Sequence, residues 1–403
     1  LLLGKFQEYS NKYYIMRAKE FEKIDTGAFR EIMTPALRNL GKTFAGNGYS
    51  IRVVGGAVRD LALKKVPKDV DLATDATPEQ MIELFKDNDI RYKPTGLEHG
   101  TVTAIIDKTP YEITTLRADK ETDGRKAEVE FVKDWKEDAK RRDLTYNAMS
   151  LDFTGKLFDY YGGMDNLQDK VSKFVGDPAE RIQEDFLRIL RYFRFQSQLN
   201  KPNWDSDTLK AIKDNVNGLS KISPERIWSE IKKLLVSKNA SETLKWMNKT
   251  GVSDAIDLTT SNAQQISKIT DNKNPILPLS LLVSNSDLAN KWKMSNQEAK
   301  LLQFLVLNKD KPLDKDSAID LLHNGYQKQT VLDLLNIQNK SSLADVVRQY
   351  EKPEFPVTGK DLLARGMKSG VELGQTLEKL KQKWKDSRYK LSKDDLLNRF
   401  MQK

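Results

Sequence analysis

Two kinds of patterning divide this chain. From about residue 20 to 175 short apolar runs alternate with turns, and from about residue 178 onward apolar positions recur at helical spacing with few strand signals. In the first part the pattern predicts a helical stretch near residues 27–46 and a strand at Ser50-Ile51-Arg52-Val53-Val54 that ends in Gly55-Gly56. A short helix from Ala57 to Leu63 and a strand at Asp69-Val70-Asp71-Leu72-Ala73 follow. Thr77-Pro78-Glu79 opens another helix, with threonine placed to cap and proline in the first turn. Gly100 to Ile106 and Tyr111 to Arg117 read as a hairpin, and Val129-Glu130-Phe131-Val132 as a further strand. Turn-rich clusters break the helical part at Asn200-Lys201-Pro202, Ile222-Ser223-Pro224, Asn272 to Pro278 and Lys352 to Pro356. The expected class is α+β, a mixed-sheet head followed by an all-helical remainder. Its expected segments are 20–175, 176–240, 241–335 and 336–403.

Composition narrows the chemistry. The chain has no cysteine, so disulfides, thiolate metal sites and a cysteine nucleophile are excluded. Its only histidines are His99 and His323, too few for a three-histidine metal site. A catalytic metal would then sit on carboxylate oxygens, which favours magnesium or manganese over zinc. Lys plus Arg number 67 against 58 Asp plus Glu, a formal charge of +9 that points to an anionic partner. No stretch approaches the roughly 18–20 apolar residues of a membrane span, so no membrane is expected. Leu1-Leu2-Leu3 is too short for a signal-peptide core, and residues 1–15 are set aside. A cytoplasmic, reducing location is expected.

The sharpest local pattern is Gly55-Gly56-Ala57-Val58-Arg59-Asp60 followed by Asp69-Val70-Asp71. Alternate residues of a strand share a face, so Asp69 and Asp71 should converge, and a divalent cation would relieve their repulsion. The glycine pair lets backbone approach a ligand and aims N–H groups at an anion such as phosphate, with Arg59 one turn further in. Separately, each pattern is also that of an ordinary turn and a solvated strand. Together, in a strand–helix–strand setting, they match the arrangement of polymerases of the β type, where two metals bridge the aspartates and a nucleoside triphosphate. Glu112, an acid inside the run Tyr111 to Thr115, is the candidate third carboxylate; an exposed strand residue is the other reading.

Downstream, Arg141-Arg142-Asp143-Leu144-Thr145-Tyr146-Asn147-Ala148 reads as helix, and Gly162-Gly163-Met164-Asp165-Asn166-Leu167 follows a short hairpin. In Arg181 to Phe195, Ile182, Phe186, Ile189, Leu190 and Phe193 share one helical arc while Asp185, Arg188, Arg191 and Arg194 occupy the other half. A solvated amphipathic helix accounts for this segment. Repeated arginine, suited to planar and phosphate recognition, argues for a site.

These blocks, in this order, resemble the bacterial class II CCA-adding enzymes and poly(A) polymerases of one nucleotidyltransferase superfamily. They are Gly-Gly-x-x-Arg-Asp, Asp-x-Asp, Arg-Arg-Asp-x-Thr-x-Asn-Ala, a Gly-Gly-x-x-Asp-Leu-like element with Asn166 before Leu167, and Glu-Asp-x-x-Arg, all within residues 55–195. Pro356 to Leu363 with Gly366 and Gly374 resembles the tail of CCA-adding enzymes, whereas poly(A) polymerases end in a basic arm. Lys126-Ala127, where a proline often stands, and Met367-Lys368-Ser369 depart from the usual pattern.

The resemblance implies that Asp69 and Asp71 hold catalytic Mg2+ and that Gly55, Gly56, Arg59 and Arg142 surround the incoming nucleotide. It implies that Asp185 and Arg188 read its base as a protein template, with Arg191 and Arg194 as further nucleotide contacts. It makes 20–175 the nucleotidyltransferase head, 176–240 the neck, 241–335 the body and 336–403 the tRNA-binding tail. The expected partners are the tRNA 3′ end with CTP and ATP, and assembly as a homodimer stays open. The expected activity is template-independent addition and repair of the terminal CCA, with pyrophosphate released. A poly(A) polymerase and a CC-only or A-only enzyme are the rivals on the same fold, and a silent RNA-binding protein is the rival of another class. Arg117 to Arg125, with Asp123-Gly124-Arg125, resembles the flexible loop of complete CCA enzymes. Trp228, Trp246 and Trp292 could stack on RNA but are read as core.

Overall fold

The structure, a computed structural model, describes residues 23–122, 127–269, 272–351 and 353–400. Residues 1–15, the Asp123-Gly124-Arg125 stretch, Lys126 and Lys352 lie outside the described residues. Two compact units are present, one up to Lys309 and one from Asp310 on.

The first unit opens on helices Gly27–Ile32 and Pro35–Gly46. The single helix expected near 27–46 is interrupted because the Thr34 side chain caps the second helix, accepting from the Leu37 N–H at 3.2 Å. Its strands are β1 (Ile51–Val54), β2 (Leu72–Thr74), β3 (Arg91–Gly96), β4 (Thr101–Ile106), β5 (Thr109–Thr115), β6 (Arg117–Thr122), β7 (Ala127–Phe131), β8 (Ser150–Leu151) and β9 (Leu157–Phe158). Seven of them form one mixed sheet in the order β3-β4-β5-β2-β1-β8-β9, while β6 and β7 make a separate ribbon. The β2–β5 pairing is parallel and its neighbours β1–β2 and β4–β5 are antiparallel.

Local chemistry explains the elements. The β-branched run of β1 buries Ile51, Val53 and Val54. The helix Pro78–Asp87 starts on a capping box, the Thr77 hydroxyl accepting from the Gln80 N–H while the Gln80 side chain accepts from the Thr77 N–H. Its Met81, Leu84 and Phe85 are buried, as are Leu37, Leu40 and Phe44 of Pro35–Gly46, and Phe44 meets Phe85 edge-on at 6.0 Å. The hairpin and the strand near Val129 form as expected.

Three expectations are corrected. The strand holding the two aspartates begins only at Leu72, with Asp71 joined to the ladder through its carbonyl, which accepts from the Val54 N–H at 3.0 Å, and Asp69 in the bend before it. The stretch from Arg141 is not helix. The helix Trp135–Lys140 ends at Arg141, and a 3₁₀ turn at Thr145–Asn147 follows, pinned when the Thr145 N–H donates to the Lys173 carbonyl. Nor is Arg181 to Phe195 one helix. Pro178–Glu184 and Leu187–Gln198 are separated by Asp185 in an extended conformation (φ −153°, ψ 105°). At this break the Phe186 ring lies against Gly218, so closely that a Cβ there would fall 2.0 Å from it.

The 3₁₀ turn also supports the helix Gly163–Gln168. A Cβ on Gly163 would stand 2.4 Å from the Thr145 carbonyl oxygen and 2.8 Å from the Tyr146 Cα, backbone that has no rotamer to yield. Gly163→Ala is expected to destabilise the protein by about 3 kcal/mol, read as a lowered urea midpoint; an unchanged midpoint would contradict this packing.

Later helices complete the first unit. Leu187–Gln198 packs on Pro224–Leu235, and Ile189, Leu190 and Phe193 of the first and Ile227, Ile231 and Leu234 of the second are buried. Trp228 and Trp292 are core, stacked at 5.7 Å, while Trp246 is half-buried and stacks on Trp204 at 5.2 Å. The second unit is helical, and Val357, Leu362, Leu380, Trp384, Leu396 and Leu397 form one of its cores.

Candidate active site

The turn from β1 into the helix Gly56–Ala62 rests on Gly55, whose φ of 69° disfavours any side chain. A Cβ there would stand 3.2 Å from Nη1 of Arg142, so the glycine also makes room for that guanidinium. Arg59, one turn on, is held by Asp60 at 2.8 Å and donates from Nη1 to the Asn147 side-chain oxygen at 3.2 Å.

Asp71 borders the same space and is open to solvent there. Its carboxyl is pushed above the ordinary carboxylate range by desolvation and then by the negative charge of Asp69, with Arg142 opposing the shift. Among the described residues neither Asp69 nor Asp71 has a hydrogen-bonded or ion-paired side-chain partner. Two unpaired, mutually repelling carboxylates fit a hard divalent cation as donors. No set of three or more His, Asp or Glu side chains is grouped to hold a metal among the described residues. Glu112 is exposed on β5, and the β2–β5 register of Leu72 with Ile113 puts it level with Asp71. It does not line the cleft.

Arginines and buried acids form the opposite side. Asp138, almost fully buried, accepts from Arg141 at 2.8 and 2.9 Å through one oxygen and from Arg142 at 3.0 and 3.2 Å through the other. Burial alone would raise its carboxyl, but Arg142 and Arg141 hold it below the usual range. Asp143 behaves alike: burial opposes its charge, yet Arg191, Asn147 and the Leu144 N–H hold its carboxyl low. Arg191 Nε donates to Asp143 at 2.7 Å, and Asn147 donates to it at 3.1 Å, so a continuous network links Arg59, Asn147, Asp143 and Arg191.

The helix break described above sets the third side. Asp185 accepts from the Leu187 N–H at 3.1 Å and from Arg226 at 2.8 Å. Arg188 Nη1 donates to Glu184 at 2.5 Å and to the Arg181 carbonyl at 2.8 Å. Gly55, Gly56, Asp71, Arg142, Asp185, Arg188 and Arg191 come together around a cleft of about 330 Å³. Arg141, Asp143, Asn147 and Phe195 complete its lining. Arg59 stands directly behind Gly56, while Asp69 lies two residues before Asp71; neither lines the cleft. Arg194 is buried, paired with Glu230 at 2.8 Å and stacked 3.9 Å over Phe195, and lies outside the lining. Sequence reasoning passed over Asp138 and Arg226, and quoted Glu184 in the Glu-Asp-x-x-Arg block without a role of its own. The one signal for Asp138 was its spacing of three and four residues ahead of an arginine pair on a helix.

Residues 51–173 match the family model described as the Poly A polymerase head domain, and residues 204–257 the one described as a probable RNA and SrmB-binding site of polymerase A. The chain is 40% identical over 400 residues to the mitochondrial CCA tRNA nucleotidyltransferase 1 of Mus musculus, covering 93% of this chain and 92% of that one. This chain belongs to the CCA tRNA nucleotidyltransferase family. The CCA-adding enzyme of Lactobacillus helveticus is 33% identical over 381 residues, 88% of this chain and 93% of that one. Mitochondrial and bacterial CCA-adding enzymes are thus both similar, and the family is fixed at that level, not at a bacterial branch. Among solved structures, the CCA-adding enzyme of Bacillus stearothermophilus in complex with CTP superposes with a TM-score of 0.73 at 25% identity, covering 90% of this chain and 94% of that one. The family is one of nucleotidyltransferases.

Proposed function

We propose that this chain builds and repairs the 3′-terminal CCA of tRNA, taking CTP and ATP and releasing pyrophosphate. The observation that carries the reading is the single cleft in which the glycine junction, Asp71, Arg142, Asp185, Arg188 and Arg191 meet. In this reading Asp69 and Asp71 hold Mg2+, with Glu112 as a third carboxylate supported by its strand register. The bound metal would supply charge stabilisation at the phosphates and a more nucleophilic RNA hydroxyl.

The chain's own residues orient the reactants. Gly55 keeps the cleft floor clear, and Arg142 and Arg191 offer donors to a triphosphate. Asp185 and Arg188 face the base, and Arg194 backs the wall through Phe195. The bond formed joins the RNA 3′ oxygen to the α-phosphorus, and the bond broken is the α–β phosphoanhydride. The partition into head (20–175), neck (176–240), body (241–335) and tail (336–403) belongs to the same proposal, with the helical part holding tRNA by its backbone and shape. No helix of the described residues is long and apolar enough to cross a membrane. Cytoplasmic location is part of this reading and rests on the cysteine-free composition; the mitochondrial names of similar enzymes lend it no support.

The test is extension of tRNAs lacking A, CA or CCA with each nucleotide in turn. CTP should add up to two residues, ATP one, and addition should then stop. Long adenosine tracts would make the chain a poly(A) polymerase, and no extension by any nucleotide would leave an RNA-binding protein.

A further inference from the structure

We propose that Asp138 is a positioning residue for nucleotide binding, one that fixes which edge of Arg142 the cleft receives. The inference rests on the reading of the cleft as a nucleoside triphosphate site and deepens it. Asp138 lies on the helix Trp135–Lys140, is almost fully buried and does not line the cleft. Its Oδ2 accepts from both Nε and Nη2 of Arg142, a side-on clamp that consumes one edge of the planar guanidinium. Its Oδ1 accepts from Nε and Nη2 of Arg141 and from the Arg117 N–H at 3.2 Å. Both arginines are thereby held from behind by one carboxylate.

What remains of Arg142 is Nη1. It has no hydrogen-bond partner among the described residues and stands 3.2 Å from where a Gly55 side chain would begin, at the mouth of the glycine turn. Clamping the other edge therefore presents two N–H donors to an anion lying against Gly55 and Gly56. An unclamped arginine would sample several rotamers and offer its donors in varied directions, so binding would carry the entropy of ordering it. A buried acid holding a cleft arginine by one edge is an arrangement for orientation, because a surface ion pair would do as well for charge alone.

Asp138→Asn keeps the shape but turns an acceptor into an NH2 facing arginine donors. In the full chain with magnesium, the KM for CTP on a tRNA lacking CCA and the KM for ATP on a tRNA lacking only the terminal A should each rise about tenfold or more. The kcat should change less than KM, and tRNA affinity should be unchanged. The decisive readout is the cycle with Arg142→Ala: if Asp138 acts through Arg142, adding D138N to R142A raises KM no further. An unchanged KM in D138N, or effects of the two substitutions that multiply, would overturn the positioning role. Should D138N fail to fold, Arg142→Lys, which leaves Asp138 paired with Arg141, must raise KM to a similar extent, and an unchanged KM there would overturn it equally. A wild-type chain that incorporates neither nucleotide would instead strike down the underlying reading.

Discussion

Asp71→Ala is expected to lower kcat for nucleotide addition by about a thousandfold or more while leaving tRNA affinity within about twofold. The size follows from what the carboxylate touches. Asp71 and Asp69 have no hydrogen-bonded or ion-paired side-chain partner among the described residues, and burial and the charge of Asp69 both disfavour the Asp71 carboxylate. Removing one therefore orphans no donor and relieves repulsion, so thermal stability should hold or rise slightly. A group that costs stability yet lines a cleft with arginines has its compensation in a ligand. Asp69→Ala should act in the same direction. Single-turnover extension, filter binding of tRNA and thermal unfolding read the three quantities separately. Retained turnover in either variant would remove the metal assignment, and lost tRNA binding with lost stability would mean that the carboxylates hold the fold.

The sequence carried this site unevenly, for physical reasons. Gly55-Gly56 is legible because its chemistry is local, a turn at which Gly55 disfavours a side chain; of the Asp-x-Asp pair only Asp71 lines the cleft, Asp69 lying in the bend before β2. Asp138 is not, because an acid three or four residues from an arginine on a helix usually makes a solvated pair, and only the fold shows this one buried behind a cleft. The break at Asp185 escaped because the apolar arc of Ile182, Phe186, Ile189 and Phe193 reads continuously through it. What interrupts the helix is distant in sequence, the Gly218 surface against Phe186 and Arg226 on Asp185. β3 was missed for the opposite reason. It is an edge strand with no buried residue, it carries Lys93 and Pro94 side by side, and so it has no apolar alternation to detect. The overall α+β division survived these errors because strand-rich and helix-rich patterning is summed over many residues.

That break has a functional consequence, which Arg188→Ala exposes. Discrimination of CTP and ATP from UTP and GTP should fall by at least about tenfold, measured as the ratio of kcat/KM values. Cytosine and adenine share an amino donor beside a ring-nitrogen acceptor, whereas uracil and guanine present a carbonyl acceptor beside a ring N–H. An aspartate next to an arginine complements the first pair and opposes the second. Asp185 can serve because the extended residue at the helix break turns its carboxylate into the cleft, steadied by Arg226 and the Leu187 N–H with acceptor sites to spare. Arg188 is aimed by Glu184 and the Arg181 carbonyl on Nη1 and by the Arg141 carbonyl on Nη2, which leaves Nε without a partner among the described residues. In the alanine variant Glu184 keeps its ion pair with Arg181, so the helix end survives and the change falls on base choice. Arg188→Lys, with charge but no planar fork, should lie close to the alanine variant. A uniform drop for all four nucleotides with the ratio intact would make Arg188 part of the scaffold and place base reading elsewhere in the cleft.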